Sequence, residues 1–349
     1  MFQANLTHRI GRATIKVSDS SKPVKIKQTR HKFLFGCGEF STLPFVSKEM
    51  DEAEYDETKK RLKHMTDIFN SVTLPFYWGS FEPEQGKPDT NRMMKAAKWL
   101  GEKGITLKGH PLCWHTVSAP WLMEMTNDEI YKLQIARIHR DVSEFSGVIN
   151  MWDVVNEAVI MPIYNHYDNA ITRICKERGR VSLIKDLFKA AREANPNATM
   201  LINDYETYEP YSNLIDELLD ADVKIDAIGI QSHMHQGSWS QEHTDSVLER
   251  FARFGLPLHF TELSMISGQI MPKVVEGDFN DYRQDSWPST PEGEARQAKE
   301  AIIFYDKLFA HPLVESITWW CFKDGLWLDA PTGLVSRDSD IKPSIRSSL

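Results

Sequence analysis

The chain has 349 residues, of which 41% are hydrophobic and 26% charged, and its formal net charge is −8. That length suits a single (β/α)8 barrel with insertions, and the acidic balance excludes the basic footprint of a nucleic-acid binder. No apolar run reaches the roughly 18 residues needed to cross a bilayer, so no membrane partner is expected.

The first ten residues hold no apolar signal region, so a cytoplasmic location is expected unless a leader has been removed. Residues 12–30 alternate between apolar and polar types around the turn-like stretch 19–23. They predict a β-hairpin, giving an N-terminal extension over 1–30 that packs on a catalytic barrel over 31–349.

From residue 33 the pattern changes. Short apolar runs fall at 33–38, 71–74, 105–110, 148–155, 200–203, 227–231, 256–261 and 316–320. Amphipathic stretches separate them at 52–69, 91–103, 128–145, 183–194, 214–221, 246–254 and 292–309. Alternation of this kind predicts an α/β chain with a parallel sheet covered on both faces, and eight units favour a closed TIM barrel. A final short helix is expected near 340–349. The polar stretch 267–291 predicts a long rim loop after the seventh strand. Cys37, Cys113, Cys175 and Cys321 are widely spaced and read as buried small hydrophobes, not a disulfide frame.

In a parallel barrel the C-terminal strand ends display the reacting groups. Two apolar runs end in a glutamate here, at Asn156-Glu157 and at Thr261-Glu262. Other strand ends supply His110 and Trp114, then Asn203 and Tyr205, then Gln231 and His233, and finally Trp320. Acid, amide, imidazole and indole without a cationic cluster suit a neutral, hydroxyl-rich ligand: sugars lay apolar faces on tryptophan and hydroxyl edges on amides. Cleaving a glycosidic bond takes one carboxyl to protonate the leaving oxygen and another to capture or stabilise the anomeric carbon. Glu157 beside Asn156 fits the first role, and Glu262 facing His233 fits the second.

The chain resembles glycoside hydrolase family 10, the endo-β-1,4-xylanase family. The resemblance runs from about Phe33 to Trp327 and rests on Gly109-His110 with Trp114-His115, Trp152-Asp153-Val154-Val155-Asn156-Glu157-Ala158, Ile202-Asn203-Asp204-Tyr205, Gln231-Ser232-His233 and Thr261-Glu262-Leu263. It implies a retaining mechanism, with Glu157 as acid/base, Glu262 as nucleophile and carboxyls roughly 5–5.5 Å apart. It also implies that His110, Trp114, Asn156, Gln231 and His233 surround the sugar next to the cut. Trp320 and Trp327 would wall that site, with Tyr205 on the leaving-group side. The implied substrate is xylan, a xylo-oligosaccharide or a related β-glycoside.

Three departures from the family pattern stand out. Leu74-Pro75-Phe76-Tyr77-Trp78 lacks the Glu, Asn and Lys that grip the second sugar, Val117 replaces a Gln, and Ser264 replaces a carboxylate after the nucleophile. They leave open a different plant glycoside or a short decorated oligosaccharide as substrate, and a sugar-binding barrel that no longer catalyses. His233-x-His235 has metal-ligand spacing, but strand one, Phe33-Leu34-Phe35-Gly36-Cys37-Gly38, carries no histidine, so no metal is expected. No Gly-x-Gly-x-x-Gly opens the first helix, and no cofactor is expected. Asp153, Glu39 and Trp319 read as buried structural groups.

Overall fold

Eight short strands pair in chain order, each parallel to the next, and the last closes on the first in the computed structural model. They are β1 (Leu34–Gly38), β2 (Ser71–Pro75), β3 (Thr106–His110), β4 (Met151–Asn156), β5 (Thr199–Asp204), β6 (Ala227–Met234), β7 (Leu258–Met265) and β8 (Val314–Trp319). The structure describes residues 6–18, 21, 23–273 and 282–346. Val72, Leu74, Val154, Val155, Ile202, Ile228, Phe260 and Ile317 are fully buried. Burial on both strand faces is why these runs read as continuous apolar stretches.

Helices wrap the barrel: α1 (Thr42–Ser47), α2 (Glu52–Ile68), α3 (Trp78–Phe81), α4 (Thr90–Gly101), α5 (Asn127–Glu144), α6 (Ala170–Arg178), α7 (Arg180–Ala194), α8 (Glu209–Asp220), α9 (Gln241–Ala252), α10 (Pro291–Phe309) and α11 (Pro343–Arg346). Their starts are set by local chemistry. Asp51 accepts from the Glu54 N–H, Ser240 from His243 and Thr290 from Gly293. Thr126 and Glu129 exchange side-chain-to-backbone hydrogen bonds in a capping box. Several helices begin earlier than the apolar pattern predicts, α7 at Arg180 and α9 at Gln241, because a polar first turn carries no periodicity. α6 is an addition. Asn169 caps it, and its buried Ile171, Ile174 and Cys175 form a stripe too short to stand out.

Among the described residues of 12–30 no strand of the predicted N-terminal hairpin is present, and Asp19, Ser20 and Lys22 of its turn lie outside the described residues. Among the described residues before β1 the only regular element is a short 3-10 turn, Thr7–Arg9. Ile15, Val17, Val24 and Ile26 are between 47% and 75% exposed. Alternation alone does not hold an isolated pair of strands, which needs a sheet or helix against its apolar face. Arg9 ties this segment to the base of the barrel. Its guanidinium donates to the carbonyls of Phe309 at 3.0 Å, His311 at 2.9 Å and Val314, and it lies over the Phe33 and Phe309 rings.

The described parts of 267–291 are irregular up to α10, as the polar stretch predicts; residues 274–281 lie outside the described residues. Ile266, Met271, Trp287, Leu328 and Ala330 form a small apolar cluster there, with Tyr282 and Trp327 packed against it. All four cysteines are buried and free. No helix among the described residues is long and apolar enough to cross a membrane.

Candidate active site

Register, not strand order alone, aims the rim residues. The β4–β5 ladder slips between Asp153 and Val155, and the β6–β7 ladder slips between Ile230 and Gln231. Each irregularity falls just before a strand end that carries polar side chains, which is what a bulge does when it re-aims one. After the second slip Gln231 pairs with Glu262 and His233 with Ser264. Alternate residues of a strand share a face, so these four groups point together.

Glu157 follows β4 directly with φ +56°, a left-handed conformation uncommon for a residue with a side chain. Its backbone N–H donates to the Asn203 carbonyl at 2.8 Å. The carboxyl is held from two directions: Oε2 accepts from the Trp114 indole at 2.8 Å, and Oε1 accepts from the Gln231 amide at 3.2 Å. Burial pushes its proton affinity up to about 8, against the pull of the Trp114 hydrogen bond and with the nearby charges of Asp204 and Glu262 adding to the rise.

Glu262, in β7, has the opposite surroundings. Oε1 accepts from the Asn203 amide at 2.7 Å, and Oε2 lies 3.1 Å from His233 Nε2. His110 Nε2 stands 3.9 Å from Oε1. Burial raises this carboxyl too, but His110, His233 and Lys108 outweigh it and hold the group below the usual carboxylate range.

One side-chain chain links the two glutamates. Asn203 Nδ2 donates to Glu262 and also to Asn156 Oδ1 at 2.8 Å, and Gln231 Nε2 donates to that same Asn156 oxygen at 3.2 Å and to Glu157. Thr261 Oγ1 donates to Asn203 Oδ1, which fixes which way the amide faces. Gly229 makes the room: a Cβ there would sit 2.5 Å from Asn203 Oδ1.

A second layer steadies the imidazoles. His110 Nδ1 meets Asp153 Oδ2 at 2.7 Å, and Lys108 Nζ approaches the same oxygen at 2.7 Å. Asp153 is fully buried. Burial raises it, but Lys108 and His110 outweigh burial and keep it ionised below its ordinary range. Ser264 Oγ lies 2.9 Å from His233 Nδ1 and 3.2 Å from His235 Nδ1, so a hydroxyl supports His233 where the family pattern has a carboxylate.

All ten predicted site residues line one cleft of about 1070 Å³ at the C-terminal mouth of the barrel. Trp320 is buried with its ring 5.4 Å from His110, and Trp327 stacks on His233 at 4.1 Å. Tyr205 stands at the rim, 47% exposed. Asp153 and Trp319 are buried groups, and Glu39 is buried against Ser41 and Arg61. Among the described residues no set of three or more histidine, cysteine, aspartate or glutamate side chains converges as for a metal ion.

Sequence reading missed three contributors. Asn203 was visible as a strand-end amide, but nothing in its spacing reveals that it bridges both glutamates. Tyr77 enters the cleft from the end of β2, 5.6 Å from the rings of His110 and Trp114. Tyr164 arrives on the loop after β4 and lies 4.4 Å from the His115 ring. Burial lowers the proton affinity of His115 to about 4.

A sequence profile of glycosyl hydrolase family 10 matches residues 42–343. The chain is 29% identical over 287 residues to endo-1,4-beta-xylanase A of Caldicellulosiruptor saccharolyticus, an alignment covering 75% of this chain and 77% of that protein. It is 28% identical over 223 residues to an endo-1,4-beta-xylanase/feruloyl esterase of Xylanibacter ruminicola, covering 56% of this chain and 30% of that protein. The match therefore spans less than a third of the second relative and about three quarters of the first. In fold it is similar to xylanase 10B of Thermotoga petrophila in complex with xylobiose, with a TM-score of 0.72 at 23% identity over 91% of this chain and 93% of that one. It is also similar to an endoxylanase retrieved from a sugarcane soil metagenome, with a TM-score of 0.74 at 20% identity over 90% and 96%. With the profile running through nearly the whole barrel, the chain belongs to glycosyl hydrolase family 10.

Proposed function

We infer that this glycoside hydrolase cleaves β-1,4-xylosidic bonds in xylan or xylo-oligosaccharides by double displacement. Glu262 attacks the anomeric carbon as the glycosidic C–O bond breaks, and Glu157 gives its proton to the departing oxygen. A water then enters: Glu157 takes its proton, the hydroxyl goes to the anomeric carbon, and Glu262 is released. The observation that carries this reading is the pair's opposed surroundings. One glutamate is held protonated at neutral pH, the other is held ionised, and a single amide chain connects them. Two carboxyls whose environments push their proton affinities apart fit an acid and a nucleophile.

His110, Asn156, Gln231 and His233 then grip the hydroxyls of the reacting sugar, and Trp320 and Trp327 wall it. Tyr205 lies on the leaving-group side. Similarity to proteins named endo-1,4-beta-xylanases supports a xylan-type substrate. The apolar end of β2 favours a second reading, a retaining β-glycosidase acting on another plant glycoside or a short decorated oligosaccharide.

Assays on p-nitrophenyl β-xyloside and β-glucoside test the reading. Glu262→Ala is expected to abolish turnover, with partial rescue by azide. Retention of wild-type rate by Glu262→Ala would refute the assignment.

A further inference from the structure

The cleft is one-sided. Its floor and walls come from β3 through β8 and the loops that follow them, but from the β1–β2 side a single described residue lines it, Tyr77. The reason lies in how the end of β2 is packed. Phe76 is fully buried against Phe81, Phe145 and Trp152, and Trp78 is buried beneath the Arg137 guanidinium. Only the residue between them faces the cleft.

That segment is also tied down. Arg137, buried in α5, donates to the carbonyls of Phe76 and Leu112, clamping the ends of β2 and β3 together. Gly79 N–H donates to the Val117 carbonyl at 2.8 Å, and a Cβ on Gly79 would lie 2.8 Å from the Ser118 carbonyl oxygen, so the loops after β2 and β3 are in close backbone contact. Val117 reaches this contact with φ +47°, an outlier for a β-branched residue. Tyr77 then meets Phe40 edge-on at 6.2 Å, and Phe40 meets Trp320 edge-on at 5.4 Å. Tyr77 and Trp320 line the cleft, and Phe40 packs against both from behind, so the three rings form one braced wall beside the reacting-sugar pocket. On the opposite side the cleft continues past Glu157 to the exposed rings of Tyr205 and Tyr208 and on to Trp239.

We propose that the Tyr77–Phe40–Trp320 wall leaves room for one sugar on the non-reducing side of the cut, so the enzyme hydrolyses the terminal residue of a β-glycoside and releases a monosaccharide. The chemistry is the same as for any glycosidic bond here: one water is consumed, one C–O bond is broken, and the proton goes to the leaving oxygen. The aromatic rim on the other side accepts the rest of the chain or another bulky leaving group. This rests on the assignment of Glu262 and Glu157 and of the leaving-group side given above.

The test is early product analysis of xylohexaose and cellohexaose labelled at the reducing end, alongside p-nitrophenyl β-xyloside, β-xylobioside and β-glucoside. Free monosaccharide and a labelled pentasaccharide are expected as the first products. Nitrophenol should appear at once from a monoside and only after a lag from the bioside, because the bioside must first lose a sugar. Tyr77→Ala is expected to open the wall, shorten the lag and raise direct release of the disaccharide by about tenfold or more. Tyr77→Phe should keep the single-sugar pattern.

Labelled di- and trisaccharides among the first wild-type products, or release of nitrophenol from the bioside without a lag, would overturn the proposal. Those results with turnover still dependent on Glu262 would sink only the wall. Wild-type rate in Glu262→Ala, or no turnover of any member of the panel by the wild type, would sink the catalytic assignment and the wall with it. If Tyr77→Ala does not fold, the wild-type product pattern still decides.

Discussion

Asn203 of β5 reaches past β6 to hold Glu262 of β7, its amide nitrogen 2.7 Å from Oε1. The same nitrogen reaches the Asn156 oxygen, so Asn203 fixes the distance between the two halves of the site. Asn203→Ala is expected to lower kcat by about 10- to 100-fold with little change in KM, since a hydrogen bond to a charged group contributes roughly 1.5–3 kcal/mol. Gly229→Ala should reproduce much of this loss, because its Cβ would displace the amide. Steady-state kinetics on an aryl β-glycoside, with thermal melts as the control for folding, check both.

Glu157 must be protonated to act as an acid, and its proton affinity is raised to about 8. Glu262 must be ionised, and its proton affinity is lowered. kcat/KM should therefore fall as pH rises through about 8, and should fall on the acid side only below the ordinary carboxylate range. With a leaving group that needs no protonation, Glu157→Gln should keep kcat/KM and lose its basic limb, while kcat falls because no carboxylate takes the proton from the incoming water. A basic limb unchanged in that variant would remove Glu157 from the acid role.

The same shift has a stability consequence. Folded Glu157 binds its proton more tightly than the unfolded chain does, so between the ordinary glutamate value and about 8 the native state holds more protons and stability falls as pH rises. Glu157→Gln removes that titration. Its Tm relative to wild type should be a few degrees higher at pH 9 and closer to wild type at pH 5, read by calorimetry at both pH values.

Asp153 neutralises Lys108 and orients His110 in a fully buried setting. Asp153→Ala strands a buried ammonium and is expected to cost about 3–5 kcal/mol, measured as a shift of the urea unfolding midpoint. Loss of activity without loss of stability would mean that Asp153 acts only through His110.

The barrel was legible in the sequence because strands buried on both faces leave unbroken apolar runs between amphipathic stretches, and rim residues follow such runs directly. Glu157 and Glu262 stood out as charges closing apolar runs. Asn203 was visible only as a strand-end amide, because its bridging role depends on β4–β5 and β6–β7 register slips that leave no mark on residue type. Tyr77 was hidden for another reason. In Phe76-Tyr77-Trp78 all three residues are aromatic, and packing alone decides which one faces the cleft. The N-terminal alternation misled because period-two patterning needs a partner surface, and among the described residues Ile15 and Ile26 stay largely exposed.

The most direct measurement of the central claim uses a 2-deoxy-2-fluoro glycoside with a good leaving group, incubated with the wild-type protein and followed by intact-mass and peptide-mass analysis. A glycosyl adduct on the peptide carrying Glu262, absent from Glu262→Ala, is the predicted result. An adduct on another residue, or turnover that gives an inverted sugar with no adduct, would contradict it.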